Sequence, residues 1–216
     1  MIKFKHVSLS YGPEKVLHEV SFGIKQGEFV LLTGKSGAGK TSIIKLLLGA
    51  RQPDSGSILV NDLEISKLTT ANLQLYRRTT IGVVFQDYKL ISKRSIHENV
   101  AFALEVCGES KQMIEKKVPE VLKLVGLAKI SHKFPDQISG GEAQRVAIAR
   151  AVVHDPEVLI ADEPTGNLDQ ENTADILNLL KTINERGTTV ILATHDQQIV
   201  DSLKKRILHV KDGKII

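Results

Sequence analysis

The sequence predicts an α/β protein: a core with a mainly parallel sheet, an antiparallel β-subdomain beside it and an inserted α-helical subdomain. Three observations predict it. In the second half of the chain, apolar runs of strand length alternate with helical patterns (Glu157–Ala161, Glu171–Glu185, Thr189–Ala193, Gln197–Leu203), an alternation that builds a parallel sheet. At the start, short alternating runs separated by turn residues give antiparallel hairpins. Between Ser95 and Val125 the apolar spacing becomes helical. The expected organisation is one domain over residues 1–216, with the helical subdomain at roughly 90–155.

Taken in order, Phe4–Ser10 and Val16–Phe22 are strands joined by the turn Tyr11-Gly-Pro-Glu14. The turn Lys25–Glu28 feeds the apolar run Glu28–Thr33, a buried parallel strand. After a glycine-rich stretch the chain continues as a helix over Thr41–Leu48, stopped by Gly49. Pro53–Gly56 is turn chemistry, and Ser57–Val60 pairs with Leu63–Ile65 across Asn61-Asp62. Thr70–Arg78 reads as a helix and Ile81–Phe85 as a buried strand ending at Gln86. Val100, Ala103 and Leu104, then Ile114, Val118, Val121, Leu122 and Val125, mark two helices, and Pro119 is expected to break or restart the second. Ser139-Gly-Gly141 opens a helix over Glu142–Val153, and a hairpin over Arg206–Ile216 turns at Asp212-Gly213.

Composition narrows the class. Apolar residues make up 42% and charged residues 25% of the chain, ordinary for a globular protein. A net charge of +4 suits an anionic nucleotide or a membrane surface but is too small to argue for nucleic acid, which is not an expected partner. The single cysteine, Cys107, excludes an internal disulfide framework and fits a reducing compartment. Met1–His6 alternates like a strand and lacks the apolar stretch of a signal peptide. No segment approaches about 18 uncharged apolar residues, so no spanning helix is expected.

The chemistry concentrates around Gly34-Lys-Ser-Gly-Ala-Gly-Lys-Thr41, which follows the apolar strand and opens a helix. Strand, glycine-rich turn, Lys-Thr and helix form a phosphate-binding loop in the context that confirms it. Backbone N–H groups close around a phosphate only where no Cβ obstructs them, which accounts for Gly34, Gly37 and Gly39. The helix start adds unsatisfied N–H groups and a positive dipole end. Lys40 then reaches the β- and γ-phosphates, and the Thr41 hydroxyl ligates Mg²⁺. Val158–Glu163 is an apolar strand ending in two carboxylates, where open α/β sheets carry their ligand-contacting residues. Asp162 is the expected partner of Mg²⁺, and Glu163 is positioned to polarise a water for attack on the γ-phosphate. Ser139-Gly-Gly141 is a second anion nest by the same physics, although the same residues also suit a flexible loop and helix cap.

Thr33–Thr41, Gln86, Ile138–Arg145, Asp162–Asp169 and Thr194-His195 occur in the order and spacing of an ABC nucleotide-binding domain, which the chain resembles over essentially its whole length. It departs from the family signature in carrying Ile138 for Leu and Glu142 for Gln. The resemblance implies a P-loop NTPase core that binds ATP and Mg²⁺ and hydrolyses ATP. Gly34, Lys35, Ser36, Gly37, Ala38, Gly39, Lys40, Thr41 and Ser42 would hold the phosphates, and Tyr11 would stack on adenine. Gln86 would contact Mg²⁺ and the attacking water, and His195 would be the switch histidine. Ser139 and Gly141 would bind a γ-phosphate, with Gly140 and Glu142 in the same nucleotide-binding motif and Asp169 in the loop after the acidic strand. From the residues alone, Tyr11 also suits closing a turn, and His195 a satisfied polar position at a strand end.

Two anion nests per chain but one γ-phosphate per ATP argue for a head-to-tail homodimer on ATP binding, each nest completing the other chain's site. Tyr76–Leu90 followed by Asn99–Leu104 resembles the FtsE family of cell-division ABC ATPases. That resemblance implies an integral-membrane partner of FtsX type, control of peptidoglycan hydrolysis, and a location on the cytoplasmic face of the plasma membrane. Glu163–Asp169 is shared with lipoprotein-release and macrolide-export ATPases, so the residues after Gln86 make the distinction. Soluble ABC ATPases of DNA repair or translation need a long coiled-coil insert or two tandem domains, and this chain has neither.

Overall fold

The structure, a computed structural model, describes residues 1–216, which divide into two units: Met1–Arg77 with Thr189–Ile216, and Arg78–Thr188. In the first unit, β1 (Ile2–Tyr11) pairs antiparallel with β2 (Glu14–Ile24), and Tyr11 stands opposite Glu14. The Phe4 and Phe22 rings stack with centroids 4.4 Å apart. His6 and Glu19 have positive φ and mark an irregularity that shifts the register between Phe4 and Val7, so Val7 and Leu9 continue the buried side. Strand β4 (Ser55–Val60) pairs with the other edge of β1, and β5 (Leu63–Glu64) with β4. The second hairpin strand stops at Glu64 rather than Ile65, because Ile65 starts a 3₁₀ turn that buries its side chain.

The parallel part of this unit is β3 (Phe29–Thr33), flanked by β8 (Thr189–Thr194) and β9 (Arg206–Lys211), with β10 (Lys214–Ile215) antiparallel on β9. Every residue of β3 and β8 is buried, which is why both read as continuous apolar runs without alternation. Helix α1 (Lys40–Leu47) follows β3, and α2 is Thr70–Thr79. Tyr76 donates its hydroxyl to the Leu47 carbonyl (2.9 Å), and Arg77 donates to those of Leu48 (2.6 Å) and Gly49 (2.9 Å). These bonds satisfy carbonyls that a helix C-terminus leaves open. Helix α7 (Gln197–Leu203) starts at Asp196, whose carboxylate accepts from the Gln198 N–H.

In the second unit, β6 (Ile81–Phe85) and β7 (Val158–Asp162) run parallel in register, Phe85 opposite Asp162. Between them in sequence lie α3 (Ile96–Cys107), α4 (Lys111–Leu124) and α5 (Gly140–Val152), and α6 (Gln170–Glu185) follows β7. Ser95 opens α3 with a capping box to Glu98. Helix α4 runs without interruption through Pro119, contrary to the break expected from sequence. Pro119 and Glu115, whose carbonyl loses its donor, are both exposed residues, while buried Val118 and Leu122 hold the helix on its neighbours. Mainly parallel core strands, an antiparallel sheet and inserted helices are the elements the sequence predicts.

Candidate functional site

The phosphate loop is the connection from β3 to α1 in the first unit. Gly34 has φ +144°, and a Cβ there would collide with the Val210 carbonyl oxygen on β9. The loop therefore lies flat on β9 only as glycine. Lys40 is buried, and its ammonium donates to the carbonyls of Gly34 (2.6 Å) and Lys35 (3.3 Å), so the cation sits over its own loop. Gly39, the residue before α1, makes no side-chain cap, and the first turn carries no acidic residue. The N–H groups of that turn are therefore left to an external acceptor. Lys35, Ser36, Gly37 and Thr41 are exposed, Ala38 is half-buried, and Gly39 and Ser42 are buried. A cavity of about 700 Å³ borders Lys35–Ala38, walled by Val16, His18 and the turn at Asp212.

Tyr11, at the end of β1, is half-buried, and its hydroxyl accepts from Ser42 Oγ at 3.4 Å. Arg51 and Lys45 stand 4.8 and 5.8 Å from the centre of its ring, a cation–π arrangement. His195 follows β8, and Thr194 pairs in register with Thr33, so the histidine and the phosphate loop leave the same end of the parallel strands. The first unit thus brings together Tyr11, the loop and His195.

The second unit brings together Gln86, Asp162 and Glu163, because the register of β6 and β7 aligns their ends. Gln86 and Asn167 are reciprocally bonded, each side-chain amide reaching the other residue at 3.5 Å. Asp162 and Glu163 are both half-buried, and Glu163 has φ +48°. A left-handed non-glycine residue at a strand end costs about 1 kcal/mol and re-aims its side chain away from the strand's alternation. The turn is held by Gly166 N–H to the Glu163 carbonyl (3.2 Å) and Leu168 N–H to that of Thr165 (3.1 Å).

Ser139 caps α5: its Oγ accepts from the Glu142 N–H (3.2 Å), while Glu142 accepts from the Ser139 N–H (2.8 Å). Because Oγ is the acceptor, its own proton stays available for an anion. The Ser139 N–H, against a smaller opposing effect of burial, holds the Glu142 carboxyl below its usual range. Asp169 caps α6 in the same manner, accepting from both the N–H and the side-chain amide of Asn172 at 2.8 Å. These bonds, the backbone one foremost, lower its pKa too. The Asn172 amide in turn fills the space where Gly141 would carry a Cβ. Sequence reasoning missed Asn172, Asn167 and Arg150. Asp169 with Asn172 three residues on is a readable capping pattern, whereas the partners of Asn167 and Arg150 lie 81 and about 61 residues away in sequence.

The ABC transporter family model matches residues 17–166. The chain belongs to the ABC ATPases. This ABC ATPase is 48% identical over 217 residues to the cell division ATP-binding protein FtsE of Bacillus subtilis (strain 168), with 100% of the chain and 95% of the relative covered. It is 46% identical to the FtsE of Mycobacterium tuberculosis, covering 100% and 94%, and 43% identical to that of Escherichia coli K12, covering 100% and 97%. Among solved structures it is similar to the dimeric structure of the bacterial ABC transporter cassette MJ0796, with TM-score 0.89, 36% identity and coverage of 100% and 96%. A post-hydrolysis dimer of that cassette bound to ADP and Pi gives TM-score 0.88 at 35% identity, covering the same shares. The protein binds and hydrolyses ATP, and cassettes of its family act as dimers with membrane permease partners.

Proposed function

We propose that the chain is the ATP-hydrolysing subunit of an FtsE–FtsX-type complex, in which ATP-driven closure of a cassette dimer acts through an integral-membrane partner on peptidoglycan hydrolysis in cell division. The observation that carries it is end-to-end similarity to the curated FtsE proteins of three distant bacteria. No helix is long and apolar enough to cross a membrane. In this reading the integral-membrane partner supplies the attachment to the cytoplasmic face.

Within this reading Lys40 and the first-turn N–H groups of α1 bind the β- and γ-phosphates, and Tyr11 stacks on adenine. Glu163 polarises the attacking water, Gln86 contacts that water and would contact Mg²⁺, His195 is the switch histidine, and Asp169 lies in the loop after the acidic strand. Ser139–Gly141, with Glu142 fixing the serine, donate to the γ-phosphate held by the opposite protomer. The residues present fit Mg²⁺. Mg²⁺ is a hard cation bound by a few protein oxygens beside substrate phosphates, and Thr41 in the first unit with Asp162 and Gln86 in the second would supply them. When bound with ATP it neutralises phosphate charge.

Glu163→Gln tests the reading. It keeps the size of the side chain and removes the base, so turnover falls by at least ~10²-fold while ATP binding persists. With ATP and Mg²⁺, but not ADP, its mass in sedimentation should double, and a further Ser139→Arg change should abolish the doubling. Hydrolysis at the parent rate removes Glu163 from the chemistry, and a mass unaffected by ATP removes a dimer driven by ATP alone, without the membrane partner.

A further inference from the structure

The segment after Gln86 hangs on two polar side chains from the helices of its own unit. Asn99 on α3 is fully buried, accepts from the Ile91 N–H (2.8 Å) and donates to the carbonyls of Ile91, Arg94 and Ser95 (2.9–3.1 Å). Arg150 on α5 donates from its two terminal nitrogens to the carbonyls of Lys89 (2.7 Å) and Tyr88 (2.8 Å). Tyr88 and Lys89 both have positive φ (57° and 50°), conformations that cost a non-glycine residue about 1 kcal/mol or more each. The guanidinium fork compensates by taking both carbonyls at once.

The side chain of Tyr88 then reaches the opposite end of the same helix. Its hydroxyl lies 3.0 Å from where a Cβ on Gly140 would stand. Gly141 is packed on Asn172, which is bonded to Asp169. Helix α5 therefore carries the anion nest at its first residues and the clamp on Tyr88 near its last, with the tyrosine spanning the two.

We propose that Tyr88, clamped by Arg150, is a positioning residue that ties the segment after Gln86 to the Ser139–Gly141 turn. Holding the turn in place then strengthens the dimer that closes on it. This rests on the reading of the turn as the γ-phosphate nest of the opposite protomer. Two features separate the clamp from mere packing. A lysine at position 150 has the charge but, as a point donor, cannot serve two carbonyls with fixed geometry. A smaller residue at position 88 releases Gly140 without touching the nest itself.

The test uses the full chain in the Glu163→Gln background, with ATP and Mg²⁺, and reads the dimer dissociation constant by sedimentation. Arg150→Lys should weaken the dimer about tenfold, the loss of a hydrogen bond to a charged group. Tyr88→Leu should weaken it similarly, and the double variant no further, since both break one link. Affinity of the monomer for a fluorescent ATP analogue should stay within about twofold of the parent in all three, because the phosphate loop is untouched. Should Arg150→Lys not fold, Tyr88→Leu carries the test. A dimer of parental strength in either variant, or losses that multiply in the double variant, overturns the link and leaves the sandwich standing. A Glu163→Gln parent that stays monomeric overturns the sandwich and the link with it.

Discussion

Gly34 sets the shape of the phosphate loop through one missing atom. With φ +144° and the Val210 carbonyl where a Cβ would stand, alanine at this position faces backbone strain and a backbone clash together. Gly34→Ala should cost on the order of 3 kcal/mol in urea unfolding, and nucleotide affinity should fall with it, because the Lys40 ammonium is positioned by the Gly34 carbonyl. A stable variant that binds ATP normally would show that the loop has another way to lie on β9. Lys40, Asp162 and Glu163 could be singled out in the sequence because the pattern that marks each lies in its immediate chain neighbours, whereas the contact that demands glycine at position 34 comes from Val210. Asn172 is readable as the partner of the Asp169 cap, but its packing on Gly141 and the bonds of Arg150 are made through space. An arginine in a helical pattern gives no sign that it will turn back onto carbonyls about 61 residues earlier.

At the scale of elements, helices α3, α5 and α6 all open on a side-chain cap, and in each an acidic side chain is held in its charged form. Glu98, Glu142 and Asp169 all have lowered pKa values, the first cause being a backbone hydrogen bond at the cap. A carboxylate depressed in the folded state stabilises above its unfolded pKa, and that contribution is lost as pH falls through the folded value. Glu142→Ala should therefore lower the urea midpoint at neutral pH, by about 0.5 kcal/mol in stability, and converge on the parent well below the ordinary glutamate value of 4.5. A difference that persists unchanged into acid would mean that the charge of Glu142 contributes nothing. The elements themselves were largely readable from periodicity. Pro119 misled, because the local rule that proline breaks a helix ignores where on the helix it falls, and here Pro119 and Glu115 are both exposed residues.

At the scale of the whole molecule, the proposed function needs a surface that meets the membrane partner. Asp87 and Lys89 pair with each other and are more than half exposed, so their ion pair adds little to stability. Asp87→Ala and Lys89→Ala should each leave the fold and the ATPase rate of the isolated protein unchanged while reducing recovery of the membrane partner in pull-downs from host membranes. Undiminished recovery with both variants would move the docking surface elsewhere.

The strand that feeds the phosphate loop, β3, finds its neighbours only at the far end of the chain, in Thr189–Thr194 and Arg206–Lys211. On the ribosome the loop therefore emerges long before the strands that will flank it. At roughly 5–20 residues per second, the interval is on the order of ten seconds. A nascent chain in that interval carries the whole loop but neither of the strands that flank β3. The loop gains its supports only as β8 and then β9 are made.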